Sequence, residues 1–263
     1  MIVQFIGVLL LAIMSFWLKK LTLSGAICAV IVGFMISWGL GLNGLLILAA
    51  FFISSIVWSS LFKRNKENEV DKKDKARDGL QVLANGGVAA LLALFYGIFE
   101  IDMFLFAFIV SLAAATSDTW ASEIGRLNQK EPIDVLSFQK VKQGTSGAMS
   151  LLGTIAAAIG SVFIVLLALL LWGHEFSFST GLVLLLICAG FFGNLVDTYA
   201  GALIQIKYRC PNCETITEKT EHCQQKTVHY KGFYRFNNET INFLCTFSGP
   251  VFFFCTLWVA QLN

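Results

Sequence analysis

Apolar residues arrive in long blocks separated by short polar segments, and the length of the blocks carries the first inference. Near-continuous apolar runs occupy residues 2–18, 21–39, 42–62, 80–99, 102–117, 147–172, 179–204 and 241–260. A hydrocarbon layer about 30 Å thick takes about 20 helical residues to cross. Lipid offers no partner to exposed backbone N–H and C=O groups, so blocks of this length satisfy them internally as helices. The pattern predicts an all-α, polytopic membrane bundle of about eight transmembrane helices. Residues 1–263 then form a single integral membrane domain, because the connections are too short for a separate soluble core.

Composition agrees and excludes the soluble classes. The chain is 56% hydrophobic and only 14% charged, against about 25% charged in ordinary globular domains. The net charge of +2 is uninformative, but the placement of charge is not. With both termini outside, all 19 Lys and Arg fall on one side of eight spans, at Lys19-Lys20, along 63–77, at 126–142 and along 207–235. The opposite connections carry Glu100, Asp102, His174 and Glu175 and no Lys or Arg. The positive-inside rule makes the basic face cytoplasmic. The expected setting is a bacterial inner (plasma) membrane with an active site facing the cytoplasm. The first residues lack the basic flank of a cleaved signal peptide. The cationic face is explained by topology, and nothing else suggests a nucleic-acid partner.

Against this apolar background, carboxylates at the ends of spans stand out, because a charge at membrane depth is costly and usually serves an ion or substrate. Ser117-Asp118-Thr-Trp-Ala-Ser-Glu123-Ile-Gly125 closes the fifth block, and a similar word, Asn194-Leu-Val-Asp197-Thr-Tyr-Ala, closes the seventh. Asp118 and Asp197 are expected to form one bipartite site, with Glu123 beside them. The alternative is that these acids merely mark the interface. Arg77, Gln81 and Asn85 follow one another at i, i+4 and i+8 and so share a helical face, which suits either a ligand-facing strip or polar glue between helices. Lys140 and Lys142 precede Gly144-Thr145-Ser146-Gly147, read as the start of the next helix. Free N–H groups and the dipole at such a start favour an anion. The turn is not a Walker P-loop. Asn194 and Asn238 add neutral oxygens at the lips of two further spans. Carboxylates with neutral oxygens suit Mg²⁺, and cations with backbone N–H groups suit phosphates, which is the equipment that phosphoryl transfer needs.

The seven cysteines are no secreted disulfide framework. Cys28, Cys188, Cys245 and Cys255 fall in apolar blocks and read as small core residues. The loop 206–240 holds Cys210-Pro-Asn-Cys213 and His222-Cys223, a possible structural Zn²⁺ set. Free thiols in a reducing compartment are the alternative, because adjacent His222 and Cys223 need a sharp bend to share one ion.

These words together resemble the transmembrane-protein-nineteen-like family, formerly a domain of unknown function. The match lies in Arg77-Asp-Gly-x-Gln81-Val-x-Ala-Asn85-Gly-Gly, Ser117-Asp118-Thr-Trp-Ala-Ser-Glu123-Ile-Gly125, Gly144-Thr-Ser-Gly147-Ala and Gly193-Asn-x-x-Asp197-Thr. That family includes the plant phytyl-phosphate kinase of tocopherol synthesis. More distantly the pattern is similar to dolichol kinase and to the membrane cytidylyltransferases that make CDP-diacylglycerol, although the latter's Pro-Gly-His-Gly-Gly signature is missing. The resemblance implies a membrane kinase that passes a phosphoryl group from a nucleoside triphosphate, CTP or ATP, to an isoprenoid (phytyl or prenyl) monophosphate. In that reading Asp118, Glu123, Asp197 and Lys142 are catalytic, with Mg²⁺ on Asp118 and Asp197. Arg77, Gln81, Asn85, Lys140, Gly144, Thr145, Ser146, Gly147, Asn194 and Asn238 bind substrate or nucleotide, and the prenyl tail lies among helices in the bilayer. A lipid-phosphate cytidylyltransferase and a lipid or isoprenoid carrier remain as alternatives.

Overall fold

The structure is a computed structural model that describes residues 2–61, 76–128 and 130–262. Most of the mixed-charge connector, 63–75, and the two end residues that bear on the termini lie outside them. Seven helices run through the described residues: α1 (Ile2–Trp17), α2 (Leu23–Leu61), α3 (Gly79–Phe99), α4 (Asp102–Gly125), α5 (Leu151–Trp172), α6 (Thr180–Leu203) and α7 (Asn238–Leu262). Six of them, α2 to α7, are long and apolar enough to cross a membrane.

The expected break between residues 39 and 42 is real, although α2 is continuous in hydrogen bonding. Gly41 has φ 60° and ψ −145°, a conformation that only glycine adopts without a Cβ penalty. A straight helix of that length would hold its ends about 58 Å apart. Instead Lys20 Nζ, just before α2, donates to Ser60 Oγ near its end at 3.4 Å. Helix α2 is therefore a hairpin whose two arms each have the length of a span, and the bundle has eight helical arms among the described residues.

Small residues set the packing. Ser117 Oγ donates to Ala157 O at 2.8 Å, and Gly125 meets Gly153 where α4 and α5 cross. Helix α4 is the central post, with Leu105 and the run Ala107–Ser117 buried. It is wrapped by α2, α3, α5, α6 and α7. Leu105, Phe108, Ile109, Leu112, Ile164, Leu186 and Phe253 fill the half of the bundle away from the basic residues.

The strands among the described residues are short and lie in polar connections. β1 (Ile133–Asp134) pairs with β2 (Ala148–Met149). β3 (Lys207–Arg209) sits between β4 (Ile216–Thr217) and β7 (Val228–Lys231), and β5 (Glu221–His222) pairs with β6 (Gln225–Lys226). Two expectations about boundaries are corrected. Asp118 and Glu123 lie within α4, which continues to Gly125 because its last turns still pack on α5. Gly144–Gly147 does not start a helix: α5 begins at Leu151 behind Ser150, whose side chain accepts from Gly153 N.

Candidate functional site

At the basic end of the bundle the helices part around a cavity of about 1330 Å³. Its floor follows from packing one turn deeper. A methyl group on Gly193 of α6 would stand 2.6 Å from Ala114 Cβ of α4 and 2.7 Å from Cys245 O of α7. Helices α4 and α6 run in the same direction, and residues four apart share a helix face. Asp118, four after Ala114, and Asp197, four after Gly193, therefore emerge side by side one turn beyond this contact, and both line the cavity.

The rest of the Ser117–Gly125 word fixes this arrangement. Ser117 ties α4 to α5. The Trp120 indole donates to Ser54 Oγ at 3.2 Å, stacks on Phe163 at 5.3 Å and meets Trp58 edge-on at 5.5 Å. This locks the rotation of α4 so that Asp118, Thr119, Ser122 and Glu123 face the cavity. Glu123 Oε1 accepts from Ser59 Oγ at 3.3 Å, while its Oε2 is buried with no hydrogen-bond partner.

The adjoining wall is cationic and amide-rich. Arg77, Gln81 and Asn85 all line it, as their shared face predicts. Asp78 caps α3 by accepting from Gln81 N at 3.0 Å. Arg77 is held by its own backbone, which pairs with Lys20 O (3.0 Å) and Thr22 N (2.9 Å). Its guanidinium donates to Ser55 Oγ and lies 5.5 Å over the Phe52 ring. Burial pulls the Arg77 pKa down and the charge of nearby Glu123 pushes it back up. Asn85 spends its amide N–H on Gln81 O at 2.9 Å, which leaves its oxygen for the cavity.

Asn194 and Asn238 also reach the cavity, and so do Gly144, Thr145, Ser146 and Gly147. The 144–147 turn works differently from the anion-binding helix start expected for it. Thr145 N and Ala148 N are used within the turn, and Gly147 lies so close to Ala202 of α6 that a side chain there would collide. Ser146 Oγ donates to Gln205 Oε1, and buried Lys207 donates from Nζ to Ser146 O at 2.7 Å. Burial and the nearby Lys231 lower the Lys207 pKa, partly offset by Asp134. Gln205 Nε2 is buried on the cavity wall without a partner.

Lys140 and Lys142 are corrected. Both are exposed, and neither lines the cavity. The β1–β2 pairing and the Ile133–Lys140 bridge turn that segment outward. Among the described residues, the lysines that do line it are Lys19, Lys20 and Lys219. Gln205 and Lys207 carried no signal in the sequence, because a polar pair just beyond a helix end looks like any other connection. Asn242, one turn after Asn238 and also on the wall, could have been found by its i, i+4 spacing.

The family profile described as integral membrane protein DUF92 matches residues 6–250. Among relatives, a membrane protein of Methanocaldococcus jannaschii described as uncharacterized is 34% identical over 207 residues, 77% of this chain and 84% of its own length. Protein PGR of Arabidopsis thaliana is 30% identical over 227 residues, 76% of this chain and 77% of its own. Protein VTE6, chloroplastic, of Arabidopsis thaliana is 30% identical over 151 residues, 55% of this chain and 45% of its own. No solved structure matches the chain.

Proposed function

This chain belongs to the integral membrane protein DUF92 family, and we propose that it is a membrane kinase transferring a phosphoryl group from a nucleoside triphosphate to an isoprenoid monophosphate. The observation that carries the reading is the apposition of Asp118 and Asp197 on parallel helices at the floor of a polar cavity, in a bundle otherwise filled with apolar side chains. The substrate class is proposed from the resemblance of the sequence words to a family that contains a phytyl-phosphate kinase, and the similarity to protein VTE6, chloroplastic, is in keeping with it. The basic end, with the cavity, faces the cytoplasm of a bacterial-type inner membrane.

The donor set fits a hard divalent cation. It is made of oxygens alone, with carboxylates of Asp118, Asp197 and Glu123 on one wall and a buried Glu123 oxygen lacking a partner. Asp118 and Asp197 would hold Mg²⁺, which when bound would draw charge from the phosphate oxygens. Arg77 would bind phosphate from the adjoining wall, with Lys219 and the Ser146 turn at the mouth. Catalysis of this kind consists mainly of positioning and charge neutralisation, and the locked rotation of α4 supports both. A carrier would need a polar path through the far half of the bundle. That half is filled by buried Leu105, Phe108, Ile109 and Phe253, which favours the enzyme.

The test is the detergent-purified chain with γ-labelled ATP or CTP and a panel of prenyl monophosphates. The expected result is label in a prenyl diphosphate that depends on Mg²⁺. Label confined to free phosphate, or appearing only with α-labelled CTP, would overturn the kinase.

A further inference from the structure

The connection between α6 and α7 contains a second constellation, distinct from the aspartates. Its first half is a knuckle between β3 and β4. Glu214 N donates to Cys210 O at 2.9 Å and Cys210 N to Thr215 O at 3.0 Å, and Glu214 closes the turn at φ 56°. Its second half is the β5–β6 hairpin. There Cys223 and Gln224 both take left-handed conformations, φ 50° and 58°, between paired His222 and Gln225. Two left-handed central residues make a primed hairpin turn. This turn supplies the bend that lets adjacent His222 and Cys223 point at one place.

Three of the donor atoms then form one face of a tetrahedron. Cys213 Sγ lies 3.4 Å from His222 Nδ1 and Cys223 Sγ lies 3.2 Å from it, while the two sulfurs are 3.7 Å apart. With Cys210 Sγ, all four atoms fall within 4.8 Å of one another. Tetrahedral zinc, with Zn–S about 2.3 Å and Zn–N about 2.0 Å, calls for S···S of about 3.8 Å and S···N of about 3.5 Å. The three edges among Cys213, His222 and Cys223 agree, and Cys210 Sγ stands close enough to supply the fourth corner.

The same segment has nothing else to fold around. From Lys207 to Lys231 the buried residues are Lys207, Cys210, Thr217 and His222, and none is an aliphatic or aromatic hydrocarbon side chain. A unit this small cannot hold its shape without a core or a staple. Yet it contributes Glu218, Lys219, Thr220 and Glu221 to the cavity wall. These four residues lie between the two knuckles and are tied to the unit by Thr227, which donates from Oγ1 to Lys219 O (2.8 Å) and from N to Thr220 O (2.9 Å).

We propose that Cys210, Cys213, His222 and Cys223 hold one structural zinc ion, and that the ion fixes Glu218–Glu221 as the outer wall of the cavity. Structural zinc sites are closed by four protein ligands and contribute folding energy directly, which is what a coreless unit over a cavity mouth requires. The proposal stands whatever reaction the cavity performs.

The test uses the full chain, purified in detergent without a polyhistidine tag from cells grown in zinc. Elemental analysis is expected to give about one zinc per chain, as a four-ligand site holds one ion, and the Cys213→Ser/Cys223→Ser double variant is expected to give none. Chelation of the wild-type chain should open Lys219 and Lys226 to trypsin, and added zinc should close them again. Cobalt exchanged into the wild-type chain should show the visible bands of a tetrahedral thiolate site, which keeps the test decisive if the double variant fails to insert. Zinc well below one per chain with every loop thiol reactive, or zinc retained in the double variant, would overturn the site. Unchanged trypsin cleavage on zinc removal would overturn its role in the wall.

Discussion

Gly193 of α6 touches Ala114 of α4 so closely that a Cβ on the glycine would sit 2.6 Å from the alanine methyl. This contact sets the separation of Asp118 and Asp197 one turn above it. Gly193→Ala is expected to cost about 1–3 kcal/mol, the usual range for overpacking, and to reduce turnover through displacement of Asp197. Gly181→Ala, on the same helix with open space around it, serves as the control and should leave both unchanged. Thermal unfolding and turnover measured together check this, and an indifferent Gly193→Ala would remove the contact from the account.

Asp118→Asn and Asp197→Asn retain shape while removing charge. Each alone should lower turnover by about 100- to 1000-fold, the scale of losing one preorganised electrostatic group. The double variant should lose little more, since groups that act as a unit are non-additive. Asp→Glu should also fail, because Mg²⁺ demands near-octahedral geometry at about 2.1 Å. Thermal stability should hold or rise as a costly charge leaves the membrane edge. Normal turnover in either Asn variant would reduce the acids to interface markers.

The 144–147 turn is secured from behind by Lys207, whose Nζ donates to Ser146 O. Lys207→Met should raise KM for the phosphate substrate about tenfold with kcat little changed, the equivalent of about 1.4 kcal/mol for one buried hydrogen bond. Lys140→Ala and Lys142→Ala should stay within about twofold of wild type, because exposed charges off the site contribute little. Steady-state kinetics on the three variants would invert this order if the exposed lysines bound the phosphates.

Asp134 accepts from Ser137 N (2.8 Å), Ser137 Oγ (3.0 Å) and Leu136 N (3.1 Å). These hydrogen bonds, the Ser137 backbone N–H first, hold its carboxyl below the ordinary 3.8. A depressed acid stabilises the fold fully above its unfolded pKa, and that contribution is lost as pH falls through the lower folded value. Amide protection at residues 134–139 should therefore be constant above about pH 5 and decline in acid, over a window beginning near the unfolded value. Hydrogen exchange on Asp134→Ala should show the reduced protection already at neutral pH.

Labelling decides the orientation. Cysteines introduced at Glu100 and Glu175, at the end without Lys or Arg, should react with an impermeant reagent on intact cells. One at exposed Glu131 should react only after permeabilisation. Labelling of position 131 from outside would reverse the protein and place its cavity on the other face.

The sequence by itself determined the class of the protein and the ingredients of its site. Long apolar blocks admit only helices in lipid, so the bundle, its spans and even the break at Gly41 were legible from spacing. The family was equally legible, because Ser117–Gly125 and its companion words are specific enough to carry it, and the DUF92 match bears that out. The acids stood out for the same reason that they are costly, as charges in an apolar context. Which residues meet was decided only by the tertiary structure. Lys140 and Lys142 adjoin the glycine turn in sequence, yet the β1–β2 pairing faces them away from the cavity. Lys207, remote in sequence, reaches Ser146 because Gly147 lets α6 approach the turn. His222 and Cys223 looked unable to face one point, yet left-handed Cys223 and Gln224 turn the chain so that they do. Periodicity is a property of local sequence and can be read from it. Convergence depends on close approaches between distant helices, and those are set by small residues whose partners the linear pattern does not name.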